Sequence, residues 1–334
     1  MTETNRRVVL AARPHGLPRE ADFRIEDTAM PAPAEGQILV RNVYVSVDPG
    51  IRARLGESGS YARPLGLGEV VEGATVGQLV AGEHPKFAVG DWVAAAFGWQ
   101  QYATSDGRGV RKLDTSRVAP STAIGVLGIP GLSASFGLLD VGRPQPGETV
   151  LVSSAAGAVG TAVGQIAAIK GARAVGIAGG AAKCKWLVDE MGFAAAIDYK
   201  AEPDLAAAIA RECPEGVDVY FDNVGGAMLD TVLTQMKLRG RIVVCGLVGD
   251  ANAEAKHGLL NTHCLVTHRL RMEGMLVFDY AKDFRTAWAE MTDWIVAGKL
   301  KYREDIDDGI DNLPRAFIGL FSGANFGRKL VKVG

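Results

Sequence analysis

Hydrophobic and polar positions follow different patterns in the two parts of this chain. Over residues 1–125 the apolar runs are short, partly alternating with polar residues, and separated by Pro, Gly and Asp. They predict strands over residues 6–11, 37–47, 69–79 and 92–97. Short strands punctuated by turns favour a barrel-like β-domain. From residue 126 onward, strand-like runs alternate with helical periods, which is typical of a parallel sheet with crossover helices.

The alternation in the second part supplies enough elements for a doubly wound sheet. A helical period first appears over residues 132–139. The strands that follow are predicted over residues 150–152, 172–178, 195–199, 217–221, 241–245 and 272–278. The helices between them are predicted over residues 158–170, 182–191, 204–213, 227–237 and 281–297, with a loop over residues 251–268. Six strands with intervening helices suffice for a nucleotide-binding fold of this type.

The end of the chain returns to mixed structure. Two strand-like runs and one helical run lie at residues 301–306, 328–333 and 312–321. We therefore expect an α/β protein with a β-rich domain over residues 1–125, which residues 300–334 rejoin. A doubly wound parallel-sheet domain is expected over residues 126–299, with a cleft between the two domains.

A glycine turn connects the first strand and helix of the second part. It reads Ala155-x-Gly157-x-x-Gly160, a dinucleotide fingerprint with alanine in place of the first glycine. Gly157 would let the backbone approach a pyrophosphate, and Gly160 would let the helix pack closely on its strand. The N-terminus of the helix would favour phosphates through its N–H groups and its dipole. Small-residue turns also occur in α/β proteins that bind no dinucleotide, so the turn alone leaves that alternative open.

The end of the second strand favours NADP over NAD. An NAD enzyme carries an Asp or Glu about 20 residues beyond the glycine turn, where it binds the ribose hydroxyls. This chain has Ala178-Gly179-Gly180-Ala181 there, followed by Lys183 and Lys185. Small residues leave room for a 2′-phosphate, and a lysine supplies charge. The alternative is a solvated lysine at a helix start, and for Lys185 this is the favoured reading.

Two further turns follow predicted strands. The fourth strand ends at Phe221-Asp222-Asn223-Val224-Gly225-Gly226, and the fifth ends at Cys245-Gly246-Leu247. Ligands bind at the carboxyl ends of the strands in such sheets. We therefore expect these turns and the glycine turn to lie along one edge.

Composition narrows the class of function. The chain has 334 residues and a net charge of -2, so it is long enough for two domains and carries no excess of either charge. The absence of a block of like charge argues against nucleic-acid and membrane-surface partners. The uncharged stretch Thr149–Ile169 is interrupted by three glycines and is not expected to span a membrane. The N-terminus lacks the apolar core of a signal peptide, and so we expect a cytoplasmic enzyme.

Neither a metal site nor a serine-hydrolase site is predicted. The cysteines are far apart and form no C-x-x-C pair, which favours reduced, mostly buried thiols. They are Cys184, Cys213, Cys245 and Cys264. The five histidines form no H-x-x-x-H pair, and no G-x-S-x-G elbow occurs.

Several stretches together resemble a known family. AAGAVG (155–160), FDNVGG (221–226), GRIVVCG (240–246) and GANFGRKLVKV (323–333) are similar to zinc-independent medium-chain reductases of the prostaglandin reductase, alkenal double-bond reductase and curcumin reductase type. YVSVDPGIRARL (44–55) extends the resemblance into the first domain. It implies a GroES-like β-barrel catalytic domain plus a Rossmann domain, NADP(H) as cofactor, and a homodimer. GLGEVVEG stands where the zinc-dependent relatives have Gly-His-Glu, so no metal is implied.

The resemblance also implies roles for individual residues. Ala156, Gly157, Ala158 and Val159 would hold the pyrophosphate, and Lys183 the 2′-phosphate. Tyr199 would pack or hydrogen-bond at the adenosine phosphate, although the residues alone favour a structural role for it and for Asn325. The rest of the cofactor site would be lined by Asn223, the turn from Cys245 through Gly246 and Leu247 to Ala251, Met275, Leu276, Val277 and Asn325.

The implied reaction is hydride transfer from NADPH to the β-carbon of an α,β-unsaturated aldehyde or ketone, followed by protonation at the α-carbon. Three tyrosines that the family has near its active site are replaced here, by Gly50, Ser135 and Ala251. A phenol can donate to an enolate oxygen, and so either the substrate range has shifted or another group has taken over. The catalytic candidate is Tyr61, for which a plain surface role is the favoured alternative; the cofactor's ribose hydroxyl and solvent are the other candidates.

The missing tyrosines leave two alternative functions open. One is an NADPH-dependent quinone or carbonyl reductase on the same scaffold. The other is a protein that binds NADPH without catalysis.

Overall fold

The computed structural model describes residues 4–57, 62–253 and 255–334, which form two compact units. The first unit contains the described residues up to Ile124 together with Glu304–Asn325 and Lys329–Gly334. The second contains Gly125–Arg303 and Phe326–Arg328. The chain therefore leaves the first unit after Ile124, returns to it at Glu304, and enters the second unit again over Phe326–Arg328 before it ends in the first.

The first unit begins with strands that pair antiparallel. In chain order they are β1 (Thr4–Leu10), β2 (Phe23–Ala29), β3 (Ile38–Ser46), β4 (Thr75–Gly82), β5 (Trp92–Ala95), β6 (Tyr102–Ser105) and β7 (Arg111–Lys112). Strand β1 pairs with β2, with Val8 opposite Ile25. β2 was not predicted, because its sequence FRIEDTA is mostly polar and only Phe23 is buried. The strand predicted over residues 69–79 lies later in the chain, as β4.

The second unit alternates strands and helices. Its strands are β8 (Thr149–Val152), β9 (Arg173–Ala178), β10 (Ala195–Asp198), β11 (Val217–Asp222), β12 (Met236–Val244) and β13 (Arg271–Gly274). Its helices are α1 (Ile129–Phe136), α2 (Ala158–Ile169), α3 (Ala181–Asp189), α4 (Leu205–Glu212), α5 (Gly226–Leu233), α6 (His263–Thr267) and α7 (Phe284–Val296). The strands form a six-stranded sheet in the order β10-β9-β8-β11-β12-β13, with every pair parallel. This order confirms the predicted doubly wound fold.

Burial follows position in this sheet. Every residue of the central strands β8 and β11 is buried, because helices cover both faces of a parallel sheet. Apolar side chains of these strands pack with α2 and α3 in one core cluster that includes Val150, Val163 and Leu187. The edge strand β13 is different, since all four of its residues are exposed.

The predictions for the second unit need three corrections. Residues 251–268 are not only loop, because they contain the five-residue α6, which is too short to give a periodic signal. Strand β12 begins at Met236, within the predicted helix over residues 227–237, and α5 ends at Leu233. Strand β13 ends at Gly274, before the predicted limit of 278, and residues 277–283 form a 3₁₀ helix.

The end of the chain completes the first unit. It forms β14 (Glu304–Asp308), α8 (Leu313–Ser322) and β15 (Arg328–Lys332). The larger sheet has the order β14-β15-β3-β4-β5-β7, and β6 also pairs with β3. Helix α8 buries Phe317 against Phe23 and Trp99, with ring centroids 6.1 and 5.8 Å from the latter two. This aromatic cluster forms part of the core of the first unit.

Candidate cofactor site

The glycine turn after β8 is wound tightly against the start of α2. Gly157 is the N-cap of α2, and its N–H donates to the carbonyl oxygen of Ser154 at 2.9 Å. Ser154 has φ 49°, a left-handed conformation that is uncommon for a residue other than glycine. Ala156 lies within the turn, and Ala158 and Val159 open the helix. Because the first N–H groups of a helix have no partner within it, the turn favours an anion such as a pyrophosphate.

Gly160 is required by the approach of α2 to its strand. A Cβ atom at Gly160 would lie 2.4 Å from the carbonyl oxygen of Ser154 and 2.7 Å from Cα of Ala155. Real Cβ contacts do not reach such distances with backbone atoms. The third glycine of the fingerprint is therefore explained by the geometry of the turn.

The alanine at the first fingerprint position has a matching glycine on the neighbouring strand. Ala155 is fully buried, and a Cβ at Gly176 of β9 would lie 2.8 Å from the Ala155 methyl. A glycine at position 176 therefore leaves room for the Ala155 methyl, which explains how alanine is accepted at the first position of the fingerprint.

A buried carboxylate organises the turn after β11. Oδ1 of Asp222 accepts from the hydroxyl of Tyr220 at 2.9 Å and from Oγ of Ser153 at 3.1 Å. It also accepts from the backbone N–H groups of Val224 and Gly225, each at 3.0 Å. Burial raises the pKa of Asp222, while these hydrogen bonds oppose the rise. Sequence reasoning placed Asp222 beside the site but missed this organising role.

Hydrogen bonds join the first two turns. The side-chain amide of Asn223 donates to the carbonyl oxygen of Ser153 at 2.8 Å, and its backbone N–H donates to Oγ of Ser153 at 2.8 Å. The ends of β8 and β11 are therefore held together by one serine, which the sequence did not single out.

The third turn packs against the second. The N–H groups of Cys245 and Gly246 donate to the carbonyl oxygen of Asp222 at 2.9 and 3.1 Å. A Cβ at Gly225 would lie 2.6 Å from the side chain of Leu247, and Gly225 has φ +71°. The structure thus brings the three turns together along one edge, as the positions of their strands predict.

The segment predicted over Met275, Leu276 and Val277 continues from β13 at the same edge. The N–H of Met275 donates to the carbonyl oxygen of Val244 at 3.1 Å. Val277 is buried, and Leu276 is the N-cap of the 3₁₀ helix. Burial raises the pKa of the nearby Cys245 thiol to about 12, so this thiol is protonated at neutral pH and unsuited to nucleophilic chemistry.

Lys183 and Lys185 differ in their surroundings. Lys183 lies in the first turn of α3, and its Nζ is 5.4 Å from the centroid of the Phe326 ring. Lys185 is exposed and forms an ion pair with Asp189 one turn along the same helix. This pairing agrees with the solvated role favoured for Lys185.

Tyr199 lies beside the loop that precedes α3. The side chains of Tyr199 and Lys200 cover Gly179, where a Cβ would lie 3.0 and 2.9 Å from them. Asp198, which sequence reasoning missed, accepts from the backbone N–H of Gly180 at 2.7 Å and holds this loop in place. Tyr199 itself is 43% exposed, which leaves its ring accessible at this end of the site.

A short return segment, Phe326–Arg328, belongs to the second unit and lies beside the glycine turn. The N–H of Gly327 donates to the carbonyl oxygen of Ala156 at 2.8 Å. The N–H of Arg328 donates to the carbonyl oxygen of Arg303 at 2.9 Å. Asn325, which precedes this segment, is assigned to the first unit.

The three positions at which the family has tyrosines are distributed over both units. Gly50 lies in a 3₁₀ helix of the first unit, Ser135 is buried in α1, and Ala251 follows the 3₁₀ turn Val248–Asp250. Tyr61 lies outside the described residues.

Comparisons with known proteins identify the family. Two family models match, one described as the N-terminal domain of oxidoreductase over residues 6–113 and one described as zinc-binding dehydrogenase over residues 158–295. The NADPH-dependent curcumin reductase of Escherichia coli (strain K12) is 43% identical over 339 residues, which cover 99% of this chain and 97% of that relative. The chain belongs to the zinc-independent medium-chain reductases.

Two further proteins have comparable sequence identity to this chain over nearly their full lengths. The NADP(+)-dependent 2-alkenal reductase of Nicotiana tabacum is 41% identical over 335 residues, covering 99% of this chain and 98% of the relative. The crystal structure of CurA in complex with NADPH from Vibrio vulnificus has a TM-score of 0.94 at 42% identity, covering 98% of this chain and 99% of that one. The fold of this chain is therefore that of a GroES-like catalytic domain joined to a Rossmann domain.

One matching family model carries zinc in its description, but no zinc site is found among the described residues. Across residues 4–57, 62–253 and 255–334, no three His, Cys, Asp or Glu side chains are grouped so that they could hold a metal ion. The same part of the chain contains no helix with the length and apolar character needed to cross a membrane.

A dinucleotide does fit, because the glycine turn, the interlocked turns beside it and Lys183 offer backbone N–H groups and a cation along one edge.

Proposed function

We propose that this chain is an NADPH-dependent reductase of the C=C bond of α,β-unsaturated aldehydes or ketones. NADP(H) is its cofactor, and when bound it supplies the hydride. The observation that carries the proposal is the edge formed by three interlocked turns, in a chain 43% identical to a curcumin reductase and 41% identical to a 2-alkenal reductase. The substrate class comes from these relatives.

Different residues along the edge would bind different parts of the cofactor. Residues 156–160 would bind the pyrophosphate through backbone N–H groups. Lys183 would pair with the 2′-phosphate, and Tyr199 would cover the adenosine end. Asn223, residues 245–247 and residues 275–277 would orient the remaining part, since they lie along the same edge. Asn325 is proposed to bind the cofactor as well.

The reaction needs a proton as well as a hydride. Hydride addition at the β-carbon moves the electron pair of the C=C bond onto the carbonyl oxygen as an enolate, and the α-carbon then takes a proton. We propose that Tyr61 or solvent supplies this proton, since Gly50, Ser135 and Ala251 offer no phenol. Tyr61→Phe should lower turnover about tenfold or more if the phenol is the donor, whereas an unchanged rate would assign the step to solvent or to the cofactor's ribose hydroxyl.

The proposal is tested by following NADPH absorbance with a panel of enals, enones and quinones, and by identifying the products. Saturated aldehydes or ketones are the expected products. If NADPH binds tightly and no member of the panel is turned over, the reductase function is wrong and the non-catalytic alternative takes its place.

The loss of the three tyrosines favours a second candidate, a quinone or carbonyl reductase. Such an enzyme would transfer hydride without forming the enone-derived enolate that a phenol would stabilise. Product analysis separates the candidates, because an alcohol or a hydroquinone would indicate this activity and a saturated carbonyl would indicate C=C reduction.

We also propose that the enzyme works as a homodimer joined through β13. All four residues of this edge strand are exposed, and Met272, which is 37% exposed, lies on the strand that has a row of backbone groups facing away from β12. Since Met275 donates its N–H to β12, the alternate residues Met272 and Gly274 direct theirs to the open side. Met272→Pro should therefore give a monomer in light scattering, and an unchanged dimer mass would rule out this interface.

The cytoplasm is the proposed location. The four cysteines, all in the described part of the chain, are free thiols, which suits a reducing compartment. Cell fractionation would test this assignment.

A further inference from the structure

Two cationic side chains of the second unit share one aromatic ring. The Nζ atom of Lys183 lies 5.4 Å from the centroid of Phe326, and Cζ of Arg303 lies 4.7 Å from the same centroid. Arg303 also lies over Trp186, with Cζ 5.6 Å from that ring. Trp186 is one helical turn beyond Lys183 on α3, and its ring meets Phe326 edge-on at 5.6 Å. Arg303 and the proposed 2′-phosphate lysine therefore share contact with the Phe326 ring.

The backbone fixes Arg303 to the cofactor edge. Its carbonyl oxygen accepts from the N–H of Arg328, and a Cβ at Gly327 would lie 2.3 Å from that oxygen. Gly327 has φ +65° and donates its own N–H to Ala156 in the glycine turn. The proposed pyrophosphate turn, the return segment and Arg303 are therefore connected by consecutive hydrogen bonds.

The charge of Arg303 is not explained by stability. Within the described residues its guanidinium contacts the rings of Phe326 and Trp186 but pairs with no carboxylate. A cation over a ring at an exposed site contributes about 0.5–1 kcal/mol. Repulsion from the Lys183 ammonium, which is no more than about 10 Å away, offsets part of this contribution. Other exposed cations, such as Lys185 and Arg211, are paired with carboxylates instead.

An anion beside both cations would remove this repulsion. The guanidinium group presents a planar set of donors that matches phosphate oxygens, and it is always charged. A phosphate monoester carries between one and two negative charges at neutral pH, enough to pair with both side chains. The 2′-phosphate is the part of NADPH that the chain would place beside Lys183.

We propose that Arg303 is a second cation for the 2′-phosphate of NADPH and a determinant of the preference for NADPH over NADH. The proposal rests on the assignment of Lys183 in the proposed function. Arg303 follows Lys183 by 120 positions and lies at the end of the second unit, so no local sequence motif marks it.

The test compares ligands with and without the 2′-phosphate by calorimetry, in the absence of any substrate. Arg303→Gln should weaken the binding of NADP⁺ and of 2′,5′-ADP about tenfold, the loss of one charge-assisted contact, and should leave NAD⁺ and 5′-AMP within about twofold. Arg303→Lys, which keeps the charge, should retain part of the affinity. Lys185→Gln on the same helix is the matched control and should change none of these constants.

Other outcomes overturn the proposal. If Arg303→Gln weakens NADP⁺ and NAD⁺ equally, the residue only supports the rings of Trp186 and Phe326. If it weakens neither, it takes no part in binding. If Lys183→Gln selectively weakens NADP⁺ while Arg303→Gln does not, this inference fails and the proposed function stands. If the wild-type protein does not prefer NADP⁺ to NAD⁺, the assignment of Lys183 itself is wrong. The melting temperature of each variant without ligand shows whether it is folded.

Discussion

The cofactor edge of the second unit and the three positions of the missing tyrosines are constrained in different ways. At the edge, the hydrogen bonds to Asp222, the close backbone at Gly160 and the left-handed φ of Gly225 leave almost no choice of residue. The contrast holds for Gly50, which is exposed, and for Ala251, which is half-buried, but not for Ser135, which is buried in α1. Residues that shape backbone turns are fixed by packing, whereas residues proposed to face substrate are fixed only by the chemistry they perform. The edge should therefore respond to substitution with loss of fold and binding, and the tyrosine positions with altered turnover.

Asp222→Ala should have the largest effect. It removes the acceptor of four donors, which belong to Tyr220, Ser153, Val224 and Gly225. Each buried donor without a partner costs about 1–3 kcal/mol, and with partial relaxation we expect the free energy of unfolding to fall by about 3–5 kcal/mol. Urea denaturation measures this loss, and calorimetry should find no NADP⁺ binding.

Asp218→Ala is the matched control. Asp218 is also buried on β11, but it lies at the other end of the strand, where it accepts from the N–H of Thr149 and pairs with Lys237. This variant should lose stability and still bind NADP⁺. Wild-type affinity for NADP⁺ in Asp222→Ala would mean that the turn after β11 is not part of the cofactor site.

Lys183→Ala should change cofactor preference without unfolding the protein. Loss of a charge-assisted contact to phosphate is worth about 2 kcal/mol, and so the KM for NADPH should rise about thirtyfold. The KM for NADH should change less than about twofold, because NADH has no 2′-phosphate for the lysine to contact. Lys185→Ala, which removes the partner of Asp189, should leave both constants unchanged. Equal effects of Lys183→Ala on the two cofactors would contradict its assignment.

The pair Ala155 and Gly176 gives a sharper test of packing at the edge. Gly176→Ala would place a methyl 2.8 Å from that of Ala155, and overpacking of this kind costs about 1–3 kcal/mol. Adding Ala155→Gly should recover part of the loss, giving a coupling of about 1 kcal/mol or more in a double-mutant cycle. Independent effects of the two substitutions would show that Leu187 and Phe193, which also approach Gly176, cause the strain.

Elements with a strong period were predictable, and those fixed by long-range contacts were not. The period over residues 158–170 gave α2 to within one residue, because its buried face is continuous. Strand β2 was not predicted, because it is held in place by pairing with β1 and has little apolar content of its own. In the candidate site, Gly157 and Asn223 belong to recognisable turns. Asp198 and Arg303 act through neighbours far away in sequence, and no local pattern could mark them.

Alkaline pH should lower the free energy of unfolding through Cys245, a residue of the cofactor edge. Burial raises the pKa of this thiol to about 12, whereas an unfolded cysteine ionises near about 8.5. The folded state therefore keeps a proton that the unfolded state releases, and stability falls as the pH rises above about 8.5. Near pH 9.5 the loss from this group should be about 1.4 kcal/mol. In Cys245→Ala the free energy of unfolding should decrease less with rising pH, by that amount. Cys213→Ala should show a similar reduction, because burial raises the pKa of that thiol to about 11. An unchanged slope in Cys245→Ala would mean that the thiol ionises in the folded protein.

Ala251→Tyr should have the smallest effect on stability. It tests one of the positions at which a family tyrosine is missing. Ala251 is half-buried after a short 3₁₀ turn, and substitutions away from tightly packed sites usually change the free energy of unfolding by less than about 0.5 kcal/mol. If a phenol at this position can donate to the enolate oxygen, kcat/KM for an enone should rise, by up to about a hundredfold, with the affinity for NADP⁺ unchanged. Ala251→Phe adds the ring without the hydroxyl and should not reproduce the gain. A loss of NADP⁺ binding in both variants would show instead that position 251 is constrained by packing, as the cofactor turns are, and the distinction between the two regions would not hold there.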